Sequence, residues 1–219
     1  MADRARAHGV IAAWPCSWRQ ARTPEAPLVV LLHGLTGDEN VMWGLEPAIP
    51  PAARVLSPRA PFPFAGGGYS WVNPVDGPAP GMPAFREPAI ALARLIDAAG
   101  GQGTPRPLVL VGFSQGSALA LSAVAFGVLH PAAVVVMAGL LPAGNLPALH
   151  ALPVFWGHGR QDELIPVARA RADVERLTSA GAAVTYCEAD VGHKLGVECL
   201  KGVRTWLTGL GMDESPVGA

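Results

Sequence analysis

Short apolar runs rich in β-branched residues alternate along this chain with longer Ala- and Leu-rich stretches, and that alternation restricts the fold more than any other feature. A run of about four to eight residues bounded by Gly or Pro has the length of a strand. When it is apolar at successive positions, rather than at every second one, both of its faces are buried. Strands of that kind need helices on either side, which is the pattern of a mostly parallel sheet. The predicted strands are 28–32, 54–56, 108–111, 133–137, 154–156 and 184–188, with one or two earlier strands within 9–18. The predicted helices are about 85–99, 115–126, 166–180 and 195–210. Pro166 suits a first helical position, where its missing N–H is not needed, and Gly100, Gly101 and Gly181 suit helix ends.

With 219 residues the chain is expected to form one domain over 1–211, followed by a frayed tail over 212–219. Charged residues are only 15% and the formal net charge is -1, so nothing draws the chain toward nucleic acid or an acidic membrane surface. A small neutral or apolar partner fits that balance better. Residues 118–141 are almost all apolar, but His130-Pro131 divides them, and the halves read as a buried helix and a strand rather than a membrane span. No secretory leader is evident after Met1, which together with the cysteines leads to an expected cytoplasmic location. Cys16, Cys187 and Cys199 are far apart and form no C-x-x-C pair, so they are expected to be buried or idle thiols, neither disulfide nor zinc ligands. The segment 58–83 is rich in Pro and Gly, carries Phe62, Phe64, Tyr69 and Trp71, and is predicted to be an irregular, functional loop.

The most informative stretch is Leu108-Val109-Leu110-Val111-Gly112-Phe113-Ser114-Gln115-Gly116-Ser117. An apolar strand runs into G-x-S-x-G, and a helical stretch follows at once. In that context the serine sits on a strained turn that lifts its hydroxyl out of the sheet. It also stands at a helix N-terminus, where free N–H groups and the helix dipole favour developing negative charge. Ser114 is therefore the candidate nucleophile, and the N–H of Gln115 one candidate oxyanion donor. A second donor is expected from the loop after an earlier strand, where His33-Gly34-Leu35-Thr36-Gly37 points to the N–H of Leu35. His33, at a strand end beside a glycine turn, is expected to hold that loop by hydrogen bonds rather than to act as a base.

Chains with such an elbow carry an acid and then a histidine after the serine. Asp162 follows the strand 154–156 and a Gly-rich turn, and His193 follows the strand 184–188. Asp190 is a rival acid, but only three residues separate it from His193, which makes it hard for it to reach the far ring nitrogen. The expected chemistry has His193 take the Ser114 proton, Asp162 orient the imidazole, and an acyl-serine form and hydrolyse. It calls for no metal or organic cofactor.

These residues resemble the phospholipase/carboxylesterase family of α/β-hydrolases, which includes bacterial carboxylesterases and acyl-protein thioesterases. The resemblance rests on His33-Gly34-Leu35-Thr36-Gly37, Gly112-Phe113-Ser114-Gln115-Gly116-Ser117-Ala118, His158-Gly159-Arg160-Gln161-Asp162 with Pro166, and Gly192-His193. It implies an α/β-hydrolase fold with no large lid domain, and an ester or thioester as substrate. It also allows a homodimer, although no surface stripe in the sequence demands one. A Trp-Phe-Asp motif common beside the acyl pocket of such proteins is only partly matched, since Val72 and Asn73 follow Trp71. By the same resemblance Trp71 and Leu164 are expected to line the acyl site. The leading expectation is an esterase for short or medium acyl chains; the alternatives are a thioesterase or lysophospholipase for longer ones and, remotely, a non-catalytic binding module.

Overall fold

A computed structural model of the protein describes residues 6–21, 23–77, 80–100 and 106–212. Its elements, in chain order, are β1 (Ala7–Ile11), β2 (Trp14–Arg19), β3 (Leu28–Leu32), β4 (Arg54–Pro58), β5 (Phe62–Pro63), β6 (Tyr69–Ser70), α1 (Arg86–Gly100), β7 (Leu108–Phe113), α2 (Gln115–Ala125), β8 (Ala133–Met137), β9 (Pro153–Gly159), α3 (Val167–Ser179), β10 (Ala183–Ala189) and α4 (Val197–Gly209). Eight strands make one sheet in the order β1-β2-β4-β3-β7-β8-β9-β10. The pairs β1/β2 and β2/β4 are antiparallel, and every later pairing is parallel. This is the expected α/β-hydrolase architecture, without a large lid domain among the described residues.

The continuous apolar runs are explained by the two faces they serve. Side chains alternate across a strand. Val30 and Leu32 of β3, Leu110 of β7 and Val134 and Val136 of β8 pack with α1, α2 and α3. Val29 and Leu31, Val109 and Val111, and Val135 and Met137 pack on the other face with α4 and a 3-10 helix at Val41–Ala48. Full burial of each such side chain contributes about 1.5–3 kcal/mol, so a polar residue in any of these runs would be costly on either face.

The order of the strands also places the site. From β3 the chain moves outward to β4 and then returns to the other side of β3 as β7. At such a switch point the connections leave in opposite directions and open a crevice beyond the carboxyl ends of the strands. The loops that follow β3 and β7 carry His33-Gly34-Leu35 and Ser114.

Several details differ from the expectations. The 3-10 helix Val41–Ala48 was not foreseen, because Gly44 and Pro47 break its helical pattern. The segment 58–83 holds a two-stranded ribbon, β5 with β6, and 3-10 turns at Pro74–Asp76 and Met82–Phe85, so it is not wholly irregular. The apolar stretch 118–141 divides into α2 and β8, and no described helix is long and apolar enough to cross a membrane. Met212 is buried against α4 rather than frayed, while 213–219 lie outside the described residues.

The cysteine expectation is overturned. Cys187 on β10 and Cys199 on α4 are joined by a disulfide, their Cα atoms 5.7 Å apart. Neither spacing nor number betrays this pair, because only the packing of α4 beside β10 brings the two together. Cys16 is the free, buried cysteine, and burial pushes its thiol pKa up to about 12.

Candidate active site

Ser114 adopts φ 50 and ψ -116, outside the regions open to ordinary L-residues. Such a residue costs roughly 1–3 kcal/mol and persists only where its surroundings enforce it. Here the enforcement is steric. A Cβ at Gly116 would lie 2.1 Å from the Leu32 carbonyl oxygen, and one at Gly112 would lie 2.4 Å from the Ser117 nitrogen. The absence of both side chains lets α2 start directly on β3 and β7. The Ser114 N–H donates to Met137 O at 3.0 Å, and the Ser117 hydroxyl to Gly112 O at 2.7 Å, which ties the turn to the sheet.

The N–H groups of Leu35 and Gln115 have no acceptor among the described residues. Both residues line the cleft that holds Ser114. The loop carrying Leu35 is braced by His33. Its Nδ1 lies 2.7 Å from Gly34 O and its Nε2 accepts the Ala60 N–H at 3.0 Å. Gly34 O can only accept and Ala60 N–H can only donate, so the ring is neutral with its proton on Nδ1. Burial lowers the His33 pKa in keeping with that state. With both nitrogens engaged, His33 has no means to serve as the base.

Trp71 corrects one expectation. It is fully buried, stacks on Trp14 with ring centroids 6.2 Å apart, lies 4.8 Å from the His33 ring, and donates its indole N–H to His33 O at 2.6 Å. The Gln115 side-chain oxygen accepts the Trp71 backbone N–H at 2.9 Å. Trp71 is thus a brace behind the β3 loop, and it does not line the cleft at Ser114. Leu164 does line that cleft and is 74% exposed at its rim.

Asp162 and His193 come together from the ends of β9 and β10. Asp162 is buried, and its Oδ1 accepts the N–H groups of Leu164 at 3.0 Å and Ile165 at 2.8 Å. Its Oδ2 lies 2.8 Å from His193 Nδ1. A carboxylate there accepts the Nδ1 proton and leaves Nε2 bare, the tautomer a general base needs. The His193 ring packs on Phe113, the neighbour of Ser114, with centroids 5.1 Å apart. A direct Ser114–His193 hydrogen bond is not among the contacts of the described residues; in free enzymes such bonds commonly tighten only once substrate is present.

The acid and histidine loops are zipped to each other. Arg160 N–H donates to Ala189 O at 2.8 Å and Gln161 N–H to Val191 O at 3.0 Å. A Cβ on Gly159 would sit 2.2 Å from Gly192 O, so only glycine allows this approach. The rival Asp190 is turned outward, exposed, and paired with Arg160 at 2.9 Å. His158 opens the stretch that ends at Asp162. It is buried, its Nε2 lies 2.8 Å from Ile165 O and 3.4 Å from Asp162 Oδ2, and it backs the acid.

Two clefts meet at Leu35. The first, about 340 Å³, contains Ser114, Gln115, Phe85, Ala118, Leu140 and Leu164. The second, about 460 Å³, lies toward Phe113, Lys194 and Leu195. Among the described residues no group of His, Cys, Asp or Glu side chains is gathered to hold a metal ion.

Comparison with known proteins agrees with this architecture. A rice (Oryza sativa subsp. japonica) protein named a "probable inactive carboxylesterase" is 30% identical over 213 residues, covering 85% of this chain and 86% of its own. The Bacillus cereus carboxylesterase structure superposes with a TM-score of 0.81 at 21% identity, over 91% of this chain and 95% of that one. Acyl-protein thioesterase 2 of Zea mays superposes with a TM-score of 0.73 at 22% identity, over 89% and 98% of the two chains. The family model described as phospholipase/carboxylesterase matches residues 18–210. This chain belongs to the phospholipase/carboxylesterase family of hydrolases.

Proposed function

We propose that the protein is a serine carboxylesterase that hydrolyses short- to medium-chain carboxylic esters through an acyl-serine intermediate. The observation that carries this reading is the 2.8 Å contact between Asp162 Oδ2 and His193 Nδ1, on a ring packed against the Ser114 elbow. His193 Nε2 takes the Ser114 proton as the hydroxyl oxygen attacks the ester carbonyl. Asp162 stabilises the imidazolium without itself becoming protonated. The N–H groups of Leu35 and Gln115 receive the oxyanion, a contribution of about 3–4 kcal/mol per donor in comparable sites. His193 then returns the proton to the leaving oxygen, and later activates the water that releases the acid. No metal or organic cofactor enters the scheme.

One relative is named inactive, but this chain retains all three groups of the relay and brings acid and histidine into contact. The Ser114 cleft, at about 340 Å³, lies near the small end of ligand pockets, which span about 300–1,000 Å³. That size supports short or medium acyl groups. A thioesterase or lysophospholipase for longer chains would use the same chemistry. The exposed Leu164 favours it, because a long chain leaving the cleft would continue across that side chain.

The test is hydrolysis of p-nitrophenyl esters from acetate to palmitate by the protein and by Ser114→Ala. Serine-dependent turnover that peaks at short or medium chains supports the carboxylesterase. A peak at palmitate transfers the assignment to the long-chain reading. Full turnover by Ser114→Ala contradicts the mechanism.

A further inference from the structure

We infer that the second cleft receives the leaving group, and that the preferred leaving group is an apolar alcohol or thiol bearing an anionic substituent. This rests on the acyl-serine reading above. In the acylation step the Ser114 Oγ–carbonyl bond forms and the carbonyl–leaving-atom bond breaks, with the proton passing from Ser114 through His193 to the departing atom. That atom must therefore lie within hydrogen-bond reach of His193. Of the two clefts, the second is the one on the histidine side. Its wall includes Phe113, on which the His193 ring packs, and Lys194 and Leu195, the residues after His193. The first cleft, built on Ser114, Gln115 and Ala118, is left for the acyl chain.

The character of the second cleft follows from its lining. Leu35, Val41, Met42, Leu45 and Leu200 make it apolar, and Leu35 and Val41 are exposed at its rim. It shares Gly44 and Leu200 with a neighbouring cleft of about 550 Å³ between the 3-10 helix and α4, so the groove extends well beyond what a methyl or ethyl alcohol would occupy. Surface carboxylates Glu188, Asp190 and Glu198 line an adjoining depression that shares Leu195 with the second cleft, and there Glu188 and Asp190 are paired with Arg160.

Charge separates the two sides. In the acyl cleft the cation is Arg169, which is held by Asp173 at 2.8 Å, a carboxylate it shares with Arg176 at 3.1 Å, and which also donates to Leu141 O at 2.7 Å. On the leaving-group side Lys194 and, further along, Lys201 line the groove with no carboxylate partner among the described residues. An anion on the leaving group would meet two available cations, whereas an anion on the acyl chain would meet one already paired.

The experiment uses the full chain with three butyrate esters: methyl, 2-naphthyl and 6-sulfo-2-naphthyl. Each kcat/KM is divided by the rate of hydroxide-catalysed hydrolysis of the same ester, to remove intrinsic reactivity. The sulfonated ester is expected to exceed the plain naphthyl ester by about fivefold at low salt, the scale of an exposed ion pair, with the advantage shrinking as salt rises. Lys194→Glu is expected to invert that preference and Lys194→Arg to keep it. A Cβ at Gly44 meets nothing within 4 Å, so Gly44→Phe fills the groove without a main-chain clash. It is expected to lower both naphthyl esters relative to methyl butyrate while the preference for acyl length stays the same. Ser114-dependent turnover that ignores the sulfonate, or Gly44→Phe that leaves the naphthyl-to-methyl ratio unchanged, overturns this inference and leaves the acyl-serine reading standing. Absence of turnover on all three esters overturns both.

Discussion

The Ser114 elbow and the His193 loop face each other across the carboxyl edge of the sheet, and they are held there in unlike ways. The elbow is locked by close approaches to the sheet that two glycines of one short motif permit. Gly112 and Gly116 let β7, α2 and β3 approach, and the strained Ser114 backbone has nowhere else to go. The His193 loop is positioned by distant groups: the zipper to the β9 loop, the Asp162 carboxylate, and the Cys187–Cys199 disulfide that ties β10 to α4 on either side of the histidine. Local sterics are written into neighbouring residues. A loop secured from outside depends on partners far away in sequence.

The largest expected effects fall on the side supplied from afar. His193→Ala is expected to lower kcat on the order of 10⁶-fold, as for other members of such a relay, and Asp162→Asn by about 10⁴-fold. His33→Ala is expected to cost far less rate, because both His33 nitrogens are spent on the backbone. Steady-state kinetics on one butyrate ester compares all three variants. A larger rate loss in His33→Ala than in His193→Ala would mean that the base has been misassigned.

Next is the elbow itself. Gly116→Ala places a Cβ 2.1 Å from a carbonyl oxygen that cannot move without shifting β3. Destabilisation of about 4 kcal/mol or more is expected, at the rare end for a point substitution. Urea denaturation measures it. A loss under about 1 kcal/mol, within the range of ordinary surface changes, would show that the elbow is not sterically locked.

The staple comes third. The two cysteines are 12 residues apart in sequence, and closing a loop of that size is worth about 3 kcal/mol in the chain-entropy model. Cys187→Ser/Cys199→Ser is expected to lower the melting temperature and to lower kcat with little change in KM, since His193 loses alignment while the clefts remain. Thermal melts and kinetics, with reduction of the native chain by a dithiol as a parallel measurement, test this. Unchanged kcat in both would confine the disulfide to a role in stability.

The smallest effect is a pH dependence of stability. Burial lowers the pKa of His33 from its ordinary 6.5. As pH falls below about 6.5 the unfolded chain takes up a proton at this site before the folded one does, so stability is full above that pH and declines beneath it. His33→Gln is expected to flatten that decline in denaturation midpoints measured between pH 7 and 5. An unchanged slope would place the buried charge cost elsewhere.

Much of this molecule was legible from its residues, for a physical reason. The runs 28–32 and 133–137 name their strands because both faces of each are buried. G-x-S-x-G after such a run has few other uses, and Asp162 and His193 follow β9 and β10 as the order of the motifs suggested. What stayed hidden depends on partners remote in sequence. Trp71 seemed a cleft residue and is instead a brace behind His33. Asp190 lies too near His193 in sequence to reach its far ring nitrogen with ease, and its outward pairing with Arg160, 30 residues away, is written in no local pattern. The Cys187–Cys199 bond requires α4 to lie beside β10, which no local pattern announces.

The most direct test of the central claim is to mix the protein with p-nitrophenyl butyrate, quench in acid within the first turnovers, and map the adduct by peptide mass spectrometry. The account predicts one butyryl group on the peptide carrying Ser114, absent from Ser114→Ala. Rapid turnover with no acyl group on Ser114, or an adduct on another residue that persists in Ser114→Ala, would contradict it.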